Sequence, residues 1–399
     1  MKNKPLASIF LIVFIDLLGF GLILPLLPYY AESFGASDTL IGILVASYAA
    51  AQLVGAPLLG RLSDRFGRRP ILLLSLFGTL LSFLLLGFAK TLALLFIARI
   101  TDGITGGNIS VAQAYIADVT TAKDRAKGLG MIGAAFGLGF IFGPATGGFL
   151  SQWGYAVPAF AAAGLVSINL LMVYFWLPES LTAERRAELA QKEKPKFTLN
   201  ALFDALRRPF SGSLLITRFV FGMAFSIFQT IFSLYALRRF NLDAQQTGYV
   251  LTYVGVLSVI VQGGLVGKLS ERFRDDLLIT VSVGIMSVSM LAWAFAPSVV
   301  MLLVILAPTA FSGGILNTVI SSALTKAVQP QEIGGILGLS ASIESLTRVI
   351  APTLGGFFLE QFGTWSPGVF GAVLLAGLFV YVWMSIFNHP MAQPAPAQS

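Results

Sequence analysis

The chain carries a series of apolar runs, each about as long as a helix that crosses a membrane. Such a helix needs about 20 consecutive, mostly apolar residues, and the sequence has twelve stretches of this kind. We number them as spans 1 to 12 and predict them at 6–30, 39–60, 70–89, 92–117, 128–150, 157–177, 213–236, 245–267, 277–296, 299–326, 335–360 and 367–388. The sequence therefore predicts an all-α membrane protein with twelve transmembrane helices.

The composition agrees with lipid as the solvent. Of the 399 residues, 56% are hydrophobic and 11% are charged, whereas soluble domains carry about 25% charged residues. The first run is longer than the apolar region of a signal peptide, which is about 7–15 residues, so we interpret it as a retained span. The chain has no Cys and one His, His389 in the tail, which excludes a disulfide, a zinc site and a Ser-His-Asp triad. We expect no enzyme activity, no cofactor and no metal.

The basic residues predict the orientation of the chain. If the N-terminus is cytoplasmic, most of the 26 Lys and Arg residues fall in cytoplasmic segments. Lys90, Arg238 and Arg239 fall on the opposite side, and the positive-inside rule sets the orientation by this asymmetry. We therefore expect a multi-pass protein of the cell inner (plasma) membrane with both termini cytoplasmic. The same distribution explains the net charge of +7 without a nucleic-acid partner.

The two halves of the sequence resemble each other. The segment GRLSDRF at 60–66, after span 2, matches GKLSERF at 267–273, after span 8. In span 5, GPATGG at 143–148 matches APTLGG at 351–356 in span 11, at nearly the same offset. Duplicated six-helix halves with a substrate site between them are a transporter architecture. We predict a bundle at 1–177, a cytoplasmic linker at 178–212, a second bundle at 213–388 and a cytoplasmic tail at 389–399.

Several segments also resemble motifs of a known family. GRLSDRFGRR at 60–69 resembles the signature of the major facilitator superfamily, and the glycines around Pro144 resemble the antiporter motif of its proton-coupled drug exporters. Asp16 with the glycines and prolines that follow it, and Asp118 at the end of span 4, are similar to the tetracycline/proton antiporter branch. The resemblance implies two pseudo-symmetric six-helix bundles in which helices 1, 4, 7 and 10 line a cavity.

The resemblance to the tetracycline branch is incomplete. An Asp that is expected in span 3 is replaced by Ser82, span 9 lacks a second expected acid, and span 8 has no His. These departures favour multidrug or lipid-like substrates over tetracycline alone. They also assign proton coupling to other acids, namely Asp16, Asp102 or Glu344.

Charged residues inside the spans are the candidates for proton coupling, because charges in the hydrocarbon region are expensive and rarely face lipid. The set is Asp16, Arg99, Asp102, Glu344 and Arg348. Asp16 lies about 15 Å into the first helix, where it either takes up and releases protons or stays permanently paired. Arg99 with Asp102, and Glu344 with Arg348, are spaced to meet on one helix face. Each pair either takes part in coupling or neutralises itself.

The end of span 2 is predicted to act as a gate. Asp64 is placed to accept hydrogen bonds from neighbouring helix N-termini or from an Arg, and Gly60 and Gly67 allow a tight backbone there. We expect a clasp that holds the halves closed on the cytoplasmic side; the alternative is that the Arg residues only enforce topology. The predicted gating set is Gly60, Asp64, Arg65, Gly67, Arg68, Arg69 and Asp118.

Glycines recur along one face of span 5. Gly139, Gly143 and Gly147 are four residues apart, which lets another helix approach closely, and Pro144 removes a backbone donor and bends the helix. The pattern predicts a hinge or seal between the halves, with ordinary helix packing as the alternative. The full motif is Gly130, Gly139, Gly143, Pro144, Gly147 and Gly148.

Polar residues of the inner spans are the candidate substrate contacts. They are Gln52, Asn108, Gln113, Arg218, Gln229, Gln262 and Asn317. Arg218 lies nearer the cytoplasmic end of span 7, so its side chain alternatively extends to the membrane surface.

The motifs and the buried charges together predict a secondary active transporter. We expect a monomeric, proton-coupled antiporter that exports small amphipathic or hydrophobic compounds by alternating access. The alternatives are a lipid or glycolipid flippase and a solute importer on the same fold. No P-loop is present for nucleotide hydrolysis, so transport is expected to draw on an ion gradient.

Overall fold

The computed structural model describes residues 4–182, 184–186, 204–208, 210–329 and 332–388. Much of the predicted linker 178–212 and the whole predicted tail 389–399 lie outside these residues. Within them, twelve helices are long and apolar enough to cross a membrane, which confirms the predicted number. We label them α1 to α12 in the order of the predicted spans: Leu6–Ile23, Asp38–Phe66, Arg68–Gly87, Leu92–Val119, Gly128–Trp153, Ala156–Trp176, Ser211–Phe240, Ala244–Arg272, Asp275–Ala294, Val299–Lys326, Ile333–Phe362 and Ser366–Phe387.

Equivalent caps begin two helices, one in each half of the sequence. α4 begins after Thr91, whose Oγ1 accepts the N–H of Leu94 at 3.4 Å. α10 begins after Ser298, whose Oγ accepts the N–H of Met301 at 3.2 Å. A side-chain oxygen in this position satisfies a backbone donor that the first turn leaves free. The caps are separated by the same offset as the repeated segments 60–66 and 267–273, so the duplication includes helix boundaries as well as motifs.

Three helices depart from the predicted spans. Span 1 is predicted to reach residue 30, but α1 ends at Ile23 and a turn leads to the short helix Leu27–Glu32, because the prolines in this region lack a backbone donor. α2 continues to Phe66, so most of the predicted loop 60–69 is helical. α4 is interrupted at 106–107, which divides it into Leu92–Thr105 and Asn108–Val119.

The chain forms two compact units. The first comprises Met1–Lys194, Thr230–Val256 and Pro352–Gln361. The second comprises Pro195–Gln229, Leu257–Ala351 and Phe362–Ser399. The first unit thus combines α1 to α6 with the end of α7, the start of α8 and the end of α11. The predicted bundles at 1–177 and 213–388 follow the sequence repeat instead, and they stay a prediction.

The pairing of helices is repeated inside the two units. In the first unit α3 packs against α4 and α6, and in the second unit α9 packs against α10 and α12. The first unit also packs α1 along α5 and α2 along α4. Its core is fully apolar at positions such as Leu72, Phe83 and Val166, each at most 1% exposed. These contacts hold α1 to α4 together, and the candidate site is built from those four helices.

Candidate functional site

A pocket in the first unit is formed by side chains of α1 to α4. Its volume is about 330 Å³, which includes the part that is open to solvent. The lining residues are Asp16, Phe20, Tyr48, Gln52, Thr79, Phe83, Asp102, Gly106, Asn108 and Ile109. The pocket thus brings together two of the predicted acids and two of the predicted amides.

Asp16 is held by Asn108. Because α4 is interrupted before Asn108, this residue begins the second helical segment of α4. Its Nδ2 donates a hydrogen bond of 2.8 Å to the Asp16 Oδ1. Asn108 is buried, and its Oδ1 has no hydrogen-bond partner among the residues that the structure describes. This amide oxygen retains the capacity to accept a hydrogen bond from a bound molecule or from a protonated carboxyl group.

Asp102 has a cationic partner instead. The Arg99 Nη1 lies 3.1 Å from the Asp102 Oδ2, and both side chains are almost fully buried. The Arg99 guanidinium also lies over the Tyr48 ring, 4.3 Å from its centroid. The predicted pairing of Arg99 with Asp102 is confirmed. Loss of either charge would leave the other buried without a counter-charge, which is strongly destabilising. The pair therefore constrains both side chains.

The two acids of the pocket therefore differ in their partners. Asp102 is bonded to a guanidinium, whereas Asp16 is bonded to an uncharged amide. If both acids are ionised, Asp16, Asp102 and Arg99 together carry one excess negative charge. A buried excess charge is unfavourable unless a proton or a cation neutralises it. Asp16 is thus the acid that accepts a proton without first breaking an ion pair.

Gln52 stabilises the wall of this pocket. Its Nε2 donates to the Tyr48 hydroxyl at 2.8 Å and to the Gly106 carbonyl at 3.0 Å. The second bond ties α2 to the interruption in α4, so Gln52 helps to fix the segment that carries Asn108. Three other predicted substrate contacts have exposed side chains outside this pocket: Gln113, Gln229 and Gln262.

A separate ionic cluster lies in the second unit. The Glu344 carboxylate is shared by two guanidinium groups, with the Arg218 Nη2 at 2.6 Å from Oε2 and the Arg348 Nη2 at 2.6 Å from Oε1. Arg218 also donates to the Asn317 Oδ1 at 3.0 Å. The predicted pairing of Glu344 with Arg348 is confirmed. The expectation that Arg218 extends to the membrane surface is wrong, because its side chain is buried and bound to Glu344.

Five of the seven predicted gating residues lie around the turn between α2 and α3, namely Asp64, Gly67, Arg68, Arg69 and Asp118. The Arg68 guanidinium bonds to the Asp64 Oδ1 at 2.6 Å and to the Asp118 Oδ2 at 3.0 Å, so one cation joins α2, α3 and the end of α4. Arg69 donates to the carbonyls of Val173 and Tyr174 in α6.

The two predicted glycines of this turn differ. Gly67 lies between the helices with a φ of 107°, a backbone conformation that favours glycine. Gly60 lies inside α2, and a Cβ there would meet nothing within 4 Å, so the expectation that it supports a tight backbone is wrong. Arg65 is exposed, and its guanidinium lies over the Phe66 ring.

Glu179 is a functional candidate that the sequence analysis missed. Its Oε1 accepts the N–H of Arg68 at 2.9 Å, and its Oε2 accepts the N–H of Arg69 at 3.2 Å. A carboxylate is favourable at a helix N-terminus, where the free N–H groups carry partial positive charge. Ser180 also donates to Asp118 at 3.0 Å. The signal was an acid two residues after the end of span 6, within the predicted charged linker.

The glycine face of α5 packs against α1. A Cβ on Gly143 would lie 2.6 Å from the Gly21 Cα, and a Cβ on Gly147 would overlap the carbonyl oxygen of Leu22. The close approach of two helices in lipid is the physical role of such small residues. Gly130 does not take part, since a Cβ there would meet nothing within 4 Å.

A second face of α5, about 100° around the helix from the first, packs against the start of α8. A Cβ on Gly248 would overlap the Pro144 carbonyl oxygen, and a Cβ on Gly148 would lie 3.0 Å from the Ala244 carbonyl oxygen. The Thr252 hydroxyl donates to the carbonyl oxygen of Ile141 at 3.1 Å. The glycine motif of α5 therefore packs against two helices, with α1 on one face and α8 on the neighbouring face.

The repeat partner of this contact joins α2 to the end of α11. A Cβ on Gly42 would overlap the Pro352 carbonyl oxygen, and a Cβ on Gly356 would overlap the Asp38 carbonyl oxygen. Pro144 and Pro352 occupy matching positions in the repeated segments 143–148 and 351–356. The two contacts are thus copies of one another, within the first unit.

Polar contacts lie near these two glycine contacts. Arg238 at the end of α7 binds Glu32 and also lies 2.9 Å from the Asp38 Oδ1. The Tyr29 hydroxyl is 2.6 Å from the Thr247 Oγ1. The sequence had placed Arg238 among the few basic residues outside the cytoplasmic segments, but it gave no partner for it.

Comparison with known proteins gives one consistent family. The sequence model described as Major Facilitator Superfamily matches residues 9–307 and 264–399. The chain is 33% identical to the tetracycline resistance protein, class H, of Pasteurella multocida, with 95% of each chain covered. It is 30% identical to the multidrug resistance protein 2 of Bacillus subtilis (strain 168), again with 95% of each covered, and 32% identical to the solute carrier family 22 member 18 of Mus musculus, with 92% of this chain and 91% of the relative covered.

Solved structures share the fold. A crystal structure of the human organic anion transporter MFSD10 aligns with a TM-score of 0.69 at 24% identity, covering 96% of this chain and 99% of that one. A bacterial homologue of the human lysosomal transporter Spinster, in an inward-facing and occupied conformation, aligns with a TM-score of 0.76 at 16% identity, covering 96% and 97%. At these identities the likeness establishes the architecture of the chain.

Proposed function

The chain belongs to the major facilitator superfamily of membrane transporters, and from this premise we propose that it is a proton-coupled antiporter that exports small amphipathic or hydrophobic compounds by alternating access. The members of this family are transporters and not enzymes. In this proposal the protein is inserted in the cell inner membrane with both termini in the cytoplasm.

The observation that carries the proposal is the difference between the partners of the two acids in the pocket. Asp102 is neutralised by Arg99, whereas Asp16 has the Asn108 amide. Asp16 is thus available for protonation from an aqueous cavity, whereas Asp102 stays bonded to the Arg99 guanidinium. Proton uptake removes the excess charge of the pocket, and a substrate that competes for the same space or charge then exchanges with the proton.

The lining of the pocket fits an amphipathic substrate. Phe20, Phe83 and Ile109 supply apolar surface beside the two carboxylates, as in small-molecule pockets that combine apolar walls with a few polar groups. Ser82 does not supply a further polar group, because its hydroxyl is buried and bonded to the Ala98 carbonyl at 2.9 Å. The relatives named for tetracycline and multidrug resistance support drugs as the substrate class.

The gating clusters support alternating access. We assign the Asp64–Arg68–Asp118 cluster to the cytoplasmic ends of the helices and the contacts of Arg238 and Tyr29 to the outer ends, in agreement with the positive-inside rule. The glycine contacts of α5 with α8 and of α2 with α11 then form a seal on the outer side. Breaking and re-forming this seal is the two-state element that transport requires.

A transport assay in proteoliposomes tests the proposal. With an imposed pH gradient, the wild-type protein is expected to move ethidium or tetracycline against its concentration gradient, and dissipating the gradient with a protonophore should stop this movement. Asp16→Asn should abolish proton-driven accumulation while leaving the protein folded, because the amide cannot bind a proton in the same range.

The matched control is Asp243→Asn. Asp243 is an exposed acid that caps α8 through the Gln246 N–H at 2.8 Å, and Asn caps a helix about as well as Asp. Normal accumulation by Asp16→Asn would remove this acid from the mechanism. Transport of a lipid probe in place of any drug would identify a flippase, and concentrative uptake in the opposite direction would identify an importer.

A further inference from the structure

The ionic cluster of the second unit has an excess of positive charge. One carboxylate, Glu344, is bonded to two guanidinium groups, those of Arg218 and Arg348. Asn317 adds an uncharged partner to Arg218. Two cations and one anion give the cluster a net charge of +1. A structural ion pair is neutral with one cation, so the second guanidinium is available for another role.

Arg348 lies in the middle of a membrane-spanning helix. It is fifteen residues after Ile333 and fourteen before Phe362, the two ends of α11, so at about 1.5 Å per residue it is about 20 Å from either end. Its side chain is nevertheless 57% exposed. A charged group at this depth is too far from the membrane surface to extend there, and charges inside the membrane face water-filled space rather than lipid.

Small residues precede this guanidinium on the same face of α11. Ser345, Ala341 and Gly338 precede Arg348 by three, seven and ten residues, which is the spacing of one helix face. Ala341 and Gly338 are exposed, and a Cβ on Gly338 would meet nothing within 4 Å. The face thus leaves open space in front of Arg348, in which a ligand group can approach the guanidinium.

We propose that Arg218, Glu344 and Arg348 form a recognition site for an anionic group, a carboxylate, phosphate or sulfonate, on an amphipathic ligand. The inference rests on the proposed function for the nature of the ligand as a transported amphiphile. Arg218, which is buried, is the fixed anchor, and Arg348, which is exposed, is the group that meets the ligand. When the ligand is absent, the Glu344 carboxylate accepts hydrogen bonds from both guanidinium groups in its place.

The chemistry of the groups supports this assignment. A guanidinium carries five N–H donors in a planar fork that matches the oxygens of a carboxylate or phosphate, and Arg348 uses its Nη2 for Glu344. An incoming anion meets the remaining donors of Arg348 and competes with Glu344 for the shared cations. Removing Glu344 should therefore strengthen anion binding, whereas removing Arg348 should weaken it.

Equilibrium binding to the full chain in phosphatidylcholine nanodiscs tests the site. The anionic probe is 11-(dansylamino)undecanoic acid, and the control ligand is its methyl ester, which lacks the negative charge. Arg348→Gln should raise the Kd of the acid by about tenfold or more, because a charge-assisted hydrogen bond contributes about 1.5–3 kcal/mol. Glu344→Gln should lower the Kd of the acid by about threefold or more. Neither variant should change the Kd of the ester.

The control variant is Arg272→Gln, which removes an exposed Arg at the end of α8, outside the cluster, and should bind both probes as the wild type does. Tighter binding by Glu344→Gln cannot arise from misfolding, which keeps the test decisive. Wild-type affinity in Arg348→Gln, or equal loss for acid and ester, would overturn the proposal. Because no pH gradient is used, failure of proton-driven export would not change this outcome.

The same measurement distinguishes two sources of the anion. If the natural ligand is a lipid headgroup, replacing a third of the phosphatidylcholine by phosphatidylglycerol should compete with the acid probe in the wild type and not in Arg348→Gln. If the ligand is a free amphiphile, the exchange of lipid should leave the Kd of the acid unchanged in both proteins.

Discussion

The pocket of the first unit and the cluster of the second unit hold similar ion pairs in opposite surroundings. The Arg99–Asp102 pair is enclosed, with side chains 2% and 6% exposed, whereas the Arg348–Glu344 pair is 57% and 34% exposed. The first group of charges, with Asp16, has an excess of one carboxylate, and the second, with Arg218, has an excess of one guanidinium. The comparison indicates that the halves of a duplicated scaffold have specialised for different charges.

The packing contacts of the two halves are alike, in contrast to their charges. Gly248 meets Pro144 and Gly42 meets Pro352 in matching contacts, but the charges have no counterparts. At the offset of the repeated segments 60–66 and 267–273, Asp16 corresponds to Met223. The two halves thus share the close approach of helices and differ in the charged residues between them.

The largest expected effect is a difference in protein stability after the Arg of each ion pair is replaced. Arg99→Met should lower the free energy of unfolding by about 3–5 kcal/mol, because it leaves Asp102 buried without a cation. Arg348→Met should change the free energy of unfolding by about 1 kcal/mol or less, as for exposed pairs. Unfolding in mixed micelles, followed by Trp fluorescence, measures both values. Equal losses of unfolding free energy in the two variants would contradict the difference between the buried and the exposed ion pair.

The second effect concerns the conserved packing of the repeat. Gly248→Ala and Gly42→Ala should each destabilise the protein by about 1–3 kcal/mol, since the added methyl group overlaps a carbonyl oxygen of the facing helix. The matched controls are Gly60→Ala and Gly267→Ala, which are also repeat partners and where a Cβ meets nothing within 4 Å. A loss in the controls as large as in the first pair would refute the role of close contact.

The smallest effect concerns the N-terminus of α3. Glu179→Ala should cost about 1 kcal/mol of stability and slow transport, because α3 has no acid in its own first turn and Glu179 accepts two of its N–H groups. Its equivalent in the repeat, α9, carries Asp275 and Asp276 in its first turn, where the Asp276 Oδ1 accepts the N–H of Leu277 at 2.8 Å. Glu184→Ala, at an exposed site, is the control and should behave as the wild type.

The sequence predicted the elements well where local physics decides them. The twelve spans follow from apolar length alone, and the pairs Arg99–Asp102 and Glu344–Arg348 follow from helical spacing. The end of α1 was predicted seven residues too far along the chain, because the apolar run continues through Pro25 and Pro28 to residue 30. Hydropathy does not register the backbone donors that these prolines lack.

The site needed tertiary information. The partner of Asp16 depends on the interruption of α4, which places Asn108 at the start of a segment. The contact of Arg218 with Glu344 joins residues 126 positions apart, and Glu179 reaches α3 across 111 positions. Sequence spacing along one helix cannot indicate such contacts, so it suggested the surface for Arg218 and the linker for Glu179.

The most direct test of the account is a count of the protons released when substrate binds. In weakly buffered detergent solution, addition of a dye that the wild-type protein transports should release protons in proportion to the dye that binds, and Asp16→Asn should bind the dye without releasing them. Proton release from Asp16→Asn equal to that of the wild type would contradict the assignment of Asp16 as the acid that exchanges a proton for substrate.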